Sequence, residues 1–246
     1  MDEPTTIGVI GLGAFGGLLA RVLAGHASVL AHDPSEVPTP EGVRRASLAE
    51  TAGCPVVVLA VNVQHLPEAI EAVRPHLPPG ALVADVCSVK LEPLRLLTER
   101  LPPEVRILGT HPLFGPQTVA ERGLPGQKIA LCPARIEPER AEHVRRFLTE
   151  TLRLRAIEVT PDEHDRQMTY VQVLTHLIGH AGLRMDLPEL PLATVAYERL
   201  LQLKRNVEKD SPELFEAIQR HNPWSADIRR RFREVMRDLV GDDAPP

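Results

Sequence analysis

Length, composition and charge restrict the possible classes of protein. The chain has 246 residues, 43% of them hydrophobic and 25% charged, which is enough for one large core or two smaller ones. A formal net charge of -5 offers no basic surface for nucleic acid, and the longest apolar run, Pro55 to Val61, is too short to span a bilayer. Three cysteines without metal-ligand spacing, and an N-terminus unlike a signal peptide, predict a cytoplasmic protein.

A glycine-rich turn follows the first predicted strand, Thr6 to Ile10, and leads into a helical pattern over residues 18–23. Such a turn lets the backbone approach a pyrophosphate, and the helix N-terminus offers free N–H groups to the phosphate charge. We therefore predict a dinucleotide site at this turn. It consists of Gly11, Leu12, Gly13, Ala14, Phe15 and Gly16.

An acidic residue ends the second predicted strand, Ser28 to His32. This residue, Asp33, comes 22 positions after Gly11, where a carboxylate accepts hydrogen bonds from the adenosine ribose hydroxyls. Asp33 would repel a 2′-phosphate, and the residues that follow it closely include no arginine. The expected cofactor is therefore NAD and not NADP.

Two further predicted strands end at the same sheet edge. Residues 55–61 place Val61 beside the cofactor, and residues 81–86 deliver the segment 85–90, Asp-Val-Cys-Ser-Val-Lys. In that segment Ser88 can hydrogen-bond a ligand or cap the helix that begins near Lys90, and the two roles are compatible. Cys87 is expected to be a small packing residue.

The segment 109–116, Gly-Thr-His-Pro-Leu-Phe-Gly-Pro, follows the apolar run Val105 to Leu108. It predicts a loop at the carboxyl end of a strand, which is where open α/β sheets bind ligands. His111 is its one side chain that exchanges protons near neutral pH, and Pro112 biases His111 toward an extended backbone. Its role is catalysis or, alternatively, a hydrogen bond within its own loop.

The pattern changes at Thr160. Before it come a strand near 128–132, a helix over 138–152 and a strand near 155–159; residues 160–163 then resemble a capping box. Only helices are predicted afterwards, at 161–185, 190–209, 212–221 and 223–240. The predicted fold is α/β: an N-terminal Rossmann-type doubly wound sheet (1–160), followed by an all-helical C-terminal domain (161–246).

Five polar residues share one face of the first of these helices. They are Asp165, Thr169, Gln172, His176 and His180. Histidines at i and i+4 can bind a metal, but position 177 is leucine and not the glutamate of a zinc protease helix, so no metal is expected. The alternative is a polar seam between the domains.

Four stretches together resemble the prephenate/arogenate dehydrogenase family of tyrosine biosynthesis. They are GLGAFG at 11–16, DVCSVK at 85–90, GTHPLFGP at 109–116 and EHDRQMTYVQVLTH at 163–176. The resemblance implies NAD(P)-dependent oxidation of a cyclohexadienol with loss of its ring carboxylate. We expect prephenate as substrate and 4-hydroxyphenylpyruvate as product, because the pyruvyl side chain of prephenate needs donors such as His176 and Arg205. The alternatives are arogenate, 4-amino-4-deoxyprephenate and, more remotely, a non-catalytic nucleotide-sensing protein.

The resemblance also implies roles for single residues. His111 would withdraw the proton of the ring hydroxyl, and Ser88 would contact this histidine and the nicotinamide region. His176 would face the substrate side chain, with Gln172 in the same stretch also binding substrate, and Arg205 would bind a substrate carboxylate.

The family pattern further implies a homodimer formed by the helical domain. Neither a chorismate mutase segment nor an appended regulatory domain is expected. Gln117, Thr118 and Val119 depart from the acidic or small polar residues often found there, which leaves substrate preference open.

Overall fold

A computed structural model describes residues 6–208 and 210–241 of the chain. It divides after Asp162 into two compact units, which we call the nucleotide unit and the helical unit. Among the described residues, no helix combines the length and the apolar character needed to cross a membrane.

An eight-stranded sheet forms the centre of the nucleotide unit. Its strands are β1 (Thr6–Ile10), β2 (Ser28–His32), β3 (Val43–Arg45), β4 (Val56–Leu59), β5 (Leu82–Asp85), β6 (Arg106–Pro112), β7 (Lys128–Arg135) and β8 (Arg155–Glu158). Their spatial order is β3-β2-β1-β4-β5-β6-β7-β8, and every pair is parallel except β6 with β7. The strand order reverses between β1 and β4, as in a doubly wound sheet, so the predicted fold class is confirmed.

Helices cover this sheet because its central strands are apolar on both faces. Val57, Leu59 and Val83 are fully buried, as expected for parallel strands with a layer on each side. The helices are α1 (Ala14–Ala24), α2 (Leu48–Ala52), α3 (Leu66–Val73), α4 (Leu91–Arg100), α5 (Pro116–Arg122) and α6 (Pro138–Arg146). A π-helical turn, Phe147–Thr151, continues α6.

The structure corrects one prediction that concerns the site. Residues 109–112 were expected to form a loop, but they belong to β6, and His111 pairs with Ala130 of the antiparallel strand β7. The extended backbone that Pro112 favours is present, and β7 uses it to continue the ladder. Pro112 ends the strand, and the next residue still donates its backbone N–H to the Lys128 carbonyl at 2.9 Å. The sequence analysis predicted no helix directly after residue 115, but the helix α5 begins at Pro116.

Only helical elements occur among the described residues of the helical unit. They are α7 (Pro161–Met168), a π-helical stretch (Thr169–Leu174), α8 (Thr175–Arg184), α9 (Val195–Val207), α10 (Pro212–Arg220) and α11 (Ser225–Val240). The predicted helix 161–185 is thus one helical run interrupted by π geometry. The hydroxyl of Thr169 donates to the Arg166 carbonyl at 2.7 Å, which competes with regular helical bonding at this point.

Helices α8 and α9 pack closely because α8 carries glycine at the contact. A Cβ on Gly179 would lie 2.8 Å from a methyl carbon of Val207. Helix α9 starts later than the predicted 190, because Thr194 caps it by accepting the Tyr197 backbone N–H at 3.3 Å. Val207 of α9 is buried, as are Met168 and Val173 of the first helical run.

Candidate active site

The glycine turn after β1 has the geometry that its sequence predicts. Gly11 has a φ of +99°, and a Cβ there would lie 2.5 Å from the Ala60 carbonyl oxygen. A Cβ on Gly16 would lie 2.1 Å from the carbonyl oxygen of Gly11. Both positions therefore require glycine, since the turn, α1 and the end of β4 approach one another closely.

Gly13 differs from these two glycines because the space beside it is open. A Cβ at Gly13 would have no atom within 4 Å, and the residue is the N-cap of α1. The first turn of α1 carries no acidic residue. A helix N-terminus with free N–H groups and an accessible backbone fits the pyrophosphate of a dinucleotide. Leu12, Ala14 and Phe15 form the rest of the turn.

The turn also contacts the segment that follows β6. The rings of Phe15 and Phe114 have centroids 6.1 Å apart. The first and third of the four recognised stretches therefore lie side by side in the fold. Val61 is half-buried next to Gly11, since its Cγ1 would lie 3.2 Å from a Cβ on that glycine.

Asp33 lies at the end of β2 with both carboxylate oxygens directed to backbone donors. One oxygen accepts the Leu12 N–H at 2.7 Å, and the other accepts the Ser35 N–H at 2.8 Å. This arrangement fixes the carboxylate beside the glycine turn. Each oxygen keeps a second lone pair, so the group can still accept ribose hydroxyls.

An arginine that sequence reasoning missed lies on the same loop. Arg45 of β3 donates to the carbonyls of Asp33, Ser35 and Val37 at 2.9, 2.5 and 2.6 Å. No arginine follows Asp33 closely in sequence, but the parallel pairing of β2 with β3 brings one here. Because its guanidinium donates hydrogen bonds to three carbonyls of this loop, Arg45 stabilises the loop.

His111 lies near the C-terminal end of β6, only 3% exposed. In the register of the sheet, Asp85, the last residue of β5, pairs with Gly109. The strand β6 therefore extends past β5, and residues 110–112 project beyond the carboxyl end of that neighbour. A buried histidine at this edge is held at a fixed place near the segment that carries Ser88, which is half-buried after β5.

A buried ion pair, which the sequence analysis did not identify, supports this edge. The Lys90 ammonium contacts the Asp85 carboxylate, and both side chains are fully buried. The same ammonium donates to the Thr110 carbonyl at 2.7 Å, and the Thr110 hydroxyl donates to the Asp85 carbonyl at 2.6 Å. The pair thus connects the segment 85–90 to the residue before His111. The signal in the sequence was an acid and a lysine five positions apart in an otherwise apolar stretch.

Cys87 has the packing role expected for it. Its backbone N–H donates to the Asp85 carboxylate at 2.9 Å, and its side chain is buried. Burial, followed by the negative charge of Asp85, raises the pKa of the Cys87 thiol, with Lys90 opposing. Burial and the raised pKa both disfavour the thiolate, which is the nucleophilic form of cysteine.

In the helical unit, His176 and His180 converge on Asp210, an acid that sequence reasoning missed. One potential ligand atom from each residue lies within 4.8 Å of the others. His176 Nδ1 is 3.2 Å from a carboxylate oxygen of Asp210, but the angles do not make a hydrogen bond. Burial lowers the pKa of His180, as does the charge of His176, whereas Asp210 opposes the shift. Asp210 follows α9, so only the packing of α8 against α9 reveals the cluster.

The remaining residues of the EHDRQ stretch pack within the helical unit. His164 Nδ1 lies 2.7 Å from the Asp165 carboxylate, and both residues are buried. Asn222 donates to the Asp165 carbonyl at 2.7 Å, and the Arg166 guanidinium lies 3.8 Å from the Trp224 ring centroid. These contacts tie the first helical run to the turn before α11. Much of this recognised stretch is therefore structural.

Arg205 and Gln172 are not part of the His176 cluster. Arg205 lies on an exposed side of α9, where its guanidinium donates to the Glu189 carboxylate at 2.9 Å. The pair borders a groove of about 510 Å³ formed by α9 and the segment before it. Gln172 lies half-buried in the π-helical stretch. The substrate roles implied for these residues stay predictions.

The fold and the glycine turn define a Rossmann-type dinucleotide-binding class, and comparison with known proteins narrows it. Residues 41–153 match the family described as prephenate dehydrogenase, nucleotide-binding domain, and residues 183–242 match the TYRAAT1-like C-terminal domain. The chain is 31% identical to arogenate dehydrogenase 2, chloroplastic, of Arabidopsis thaliana, covering 96% of this chain and 70% of that protein. It is 29% identical to arogenate dehydrogenase 1, chloroplastic, of the same plant, over 95% of this chain but only 38% of that protein.

A solved structure shows the same fold. It is the prephenate dehydrogenase of A. aeolicus in complex with hydroxyphenyl propionate and NAD+, with a TM-score of 0.71 and 18% identity, covering 96% of this chain and 89% of that one. The chain belongs to the prephenate/arogenate dehydrogenase family, whose members are NAD-dependent oxidoreductases.

Proposed function

We propose that the protein oxidises and decarboxylates prephenate to 4-hydroxyphenylpyruvate, with NAD as cofactor, in tyrosine biosynthesis. The observation that carries this proposal is the buried His111 on β6, at the sheet edge that also presents the glycine turn and Ser88. The open space at Gly13 and the carboxylate of Asp33 support NAD. Family membership supports the reaction class.

The side chains of the protein are assigned one proton transfer and the orientation of the reacting groups. His111 accepts the proton of the ring hydroxyl as the carbon that bears this hydroxyl loses a hydride, and Ser88 helps to orient His111. The nicotinamide, when bound, supplies the hydride acceptor. The bond from the ring to its carboxylate then breaks, carbon dioxide leaves, and the bonding electrons enter the ring and make it aromatic. Most of what the chain provides is orientation and one proton acceptor.

The buried Asp85–Lys90 pair gives His111 a rigid support. Lys90, in the segment that carries Ser88, donates to the Thr110 carbonyl of β6, and the Thr110 hydroxyl donates back to the Asp85 carbonyl, so Ser88 and His111 are held on a common frame. A general base contributes its full effect only when it is held within hydrogen-bond reach of the proton that it removes. The Asp85–Lys90 pair and its hydrogen bonds therefore preorganise His111 for proton removal.

Substrate binding is assigned to His176, Arg205 and Gln172. In the ion pair of Arg205 with Glu189, the arginine side chain is 44% exposed and the glutamate side chain is 82% exposed. Such exposed pairs contribute little and exchange readily. Arg205 is therefore available to a substrate carboxylate.

Arogenate is the second candidate substrate. It carries an ammonium where prephenate has a keto group, and the Glu189 carboxylate beside Arg205 is a suitable acceptor for an ammonium. The two Arabidopsis relatives named arogenate dehydrogenase also favour it. Under this alternative, Glu189→Gln lowers kcat/KM for arogenate and leaves kcat/KM for prephenate unchanged, with Glu198→Gln, an exposed acid of α9, as the matched control.

The test is a direct assay of purified protein with NAD and each of prephenate, arogenate and 4-amino-4-deoxyprephenate, followed by NADH absorbance. The proposal expects the highest kcat/KM with prephenate. A higher kcat/KM with arogenate selects the second candidate. If none of the three substrates yields NADH, the activity is wrong and a non-catalytic nucleotide-binding role replaces it.

We also propose that the helical unit forms a homodimer. Ten of the eleven exposed large hydrophobic side chains among the described residues lie in this unit. They are Tyr170, Val171, Met185, Leu190, Leu192, Val195, Val235, Met236, Leu239 and Val240. The proposed dimer requires that these side chains form a contiguous apolar patch, since such patches mark protein interfaces.

A further inference from the structure

We propose that His176, His180 and Asp210 bind one divalent transition-metal ion of the zinc type. The three residues belong to the helical unit, and the potential ligand atoms of all three lie within 4.8 Å of one another. In a tetrahedral zinc site with bonds of 2.0–2.1 Å, ligand atoms are about 3.3 Å apart. The separation of His176 Nδ1 from the Asp210 carboxylate is already 3.2 Å.

The hydrogen bonding of the cluster points to a missing cation. His176 Nδ1, His180 Nε2 and Asp210 Oδ2 are each buried, and none of the three atoms has a hydrogen-bond partner among the described residues. Buried polar atoms that lack a partner are costly, and a carboxylate oxygen most of all. Because the potential ligand atoms lie within 4.8 Å of one another, a single cation would satisfy all three residues together.

The helical architecture holds these ligands in place. His176 and His180 are one turn apart on α8, so they present their rings on the same face. Asp210 lies just after α9, which packs against α8 through Gly179 and Val207. The His180 ring also contacts Phe215 of α10, with centroids 4.2 Å apart. The ion would therefore tie α8 to the segment between α9 and α10.

The ligand set selects the class of metal. Two imidazoles and one carboxylate suit zinc, cobalt or nickel, whereas magnesium and calcium prefer oxygen ligands throughout. Three protein ligands leave a fourth position for water or for a carboxylate. Coordination through Nδ1 also leaves Nε2 of His176 free. The inference rests on the geometry of the helical unit and not on the proposed activity.

The experiment measures binding of zinc chloride and cobalt chloride to tag-free full-length protein, freed of metal with a chelator, by calorimetry and by the visible absorbance of cobalt. We expect one ion per chain, and no calorimetric signal with magnesium chloride. Asp210→Asn and His180→Gln should each weaken zinc binding by more than about 100-fold, because even residues that only support a ligand contribute 10–100-fold. His143→Gln, an exposed histidine of α6, is the matched control and should bind zinc like the wild type.

Circular dichroism of each variant checks that the helices remain. If Asp210→Asn does not fold, His180→Gln decides the question. Absence of zinc binding by the wild type, zinc binding of equal strength in the folded ligand variants, or equal binding of magnesium would overturn the proposal. Dehydrogenase assays of the metal-free wild type are a separate readout, so failure of the metal site and failure of the proposed activity are distinguishable.

Discussion

At the residue scale, we propose that Asp33 determines cofactor choice. Its carboxylate is fixed beside the glycine turn by the N–H groups of Leu12 and Ser35, so it can accept ribose hydroxyls and repels a 2′-phosphate. Asp33→Ser should raise the ratio of kcat/KM with NADP to kcat/KM with NAD. Glu36→Gln removes an equal charge from an exposed position of the same loop and should leave the ratio unchanged. An unaltered ratio in Asp33→Ser would show that the ribose is recognised elsewhere.

A second prediction at the residue scale concerns Lys90 and its effect on the free energy of unfolding. Lys90→Met leaves the buried Asp85 carboxylate without its cation, and breaking a buried pair in this way costs about 3–5 kcal/mol. The free energy of unfolding, measured with urea, should fall accordingly. Replacing both partners, as in Asp85→Leu with Lys90→Met, should cost less than Lys90→Met alone.

The control for this prediction is Arg95→Gln, which breaks an exposed ion pair with Glu99. Exposed pairs contribute about 0–1 kcal/mol, so this variant should unfold almost like the wild type. An equally small effect of Lys90→Met would mean that the pair does not hold the segment 85–90.

A site residue can be recognised from the sequence when the pattern that marks it lies within a short stretch of the chain. The glycine turn and Asp33 are recognisable because a strand, a turn and a helix follow one another within a short stretch. Arg45 and Asp210 are brought to their places by strand pairing and helix packing, and single-sequence spacing does not encode these contacts. Their identification needed the structure.

At the scale of elements, the capping box of α2 gives a pH-dependent prediction. Ser47 accepts the Glu50 N–H, and the Glu50 carboxylate accepts the Ser47 N–H and hydroxyl. The hydrogen bonds with Ser47, followed by that with Arg44, lower the pKa of Glu50. Because the pKa of Glu50 is lower in the folded protein than in the unfolded chain, ionised Glu50 stabilises the fold. This stabilisation is fully present above the pKa of the unfolded chain, and it is lost as the pH falls through the pKa of the folded protein.

Glu50→Gln should therefore reduce stability at neutral pH, and its difference from the wild type should shrink as the pH is lowered into the acid range. Urea unfolding at a series of pH values measures this difference. Glu41→Gln, an exposed acid before α2, should show a smaller difference. A Glu50→Gln difference that is constant with pH would contradict the assignment.

Elements with a strong apolar pattern in the sequence were predicted well. Elements that depend on pairing with a neighbouring strand were not. The buried strands β1, β2, β4 and β5 and the helix α4 follow from apolar patterns in the sequence. The strand β6 extends through His111 only because β7 pairs with it, and the three-residue β3 exists only beside β2. The π-helical stretch 169–174 likewise has no signature in the periodicity.

At the scale of the whole molecule, the exposed apolar residues of the helical unit predict a dimer. Light scattering after size-exclusion chromatography should give twice the mass of one chain. Leu192→Asp together with Leu239→Asp adds charge at side chains that are 93% and 76% exposed, and should shift the mass toward one chain. Ile157→Asp, which changes an exposed hydrophobic residue of the nucleotide unit, is the control. A wild type of single-chain mass would contradict the proposed homodimer.

The predicted division of the chain rests on a change in the sequence pattern itself. Strands alternate with helices up to residue 160, and the described residues that follow form helices alone. The compact units divide after Asp162, within α7. Sequence patterns reveal where such a change occurs, but not which side chains of the helical unit remain exposed, because exposure depends on how the helices pack.

The most direct test of the account is the pH dependence of turnover by His111→Asn with prephenate and NAD. A general base must be neutral, so wild-type kcat/KM should fall at acid pH as a histidine gains a proton. His111→Asn keeps a hydrogen-bonding side chain but cannot accept the proton. We predict that kcat falls by about 10²–10⁴-fold, that the acid limb of the profile disappears and that NAD affinity is unchanged. Near-normal turnover with the acid limb intact would show that another group removes the proton.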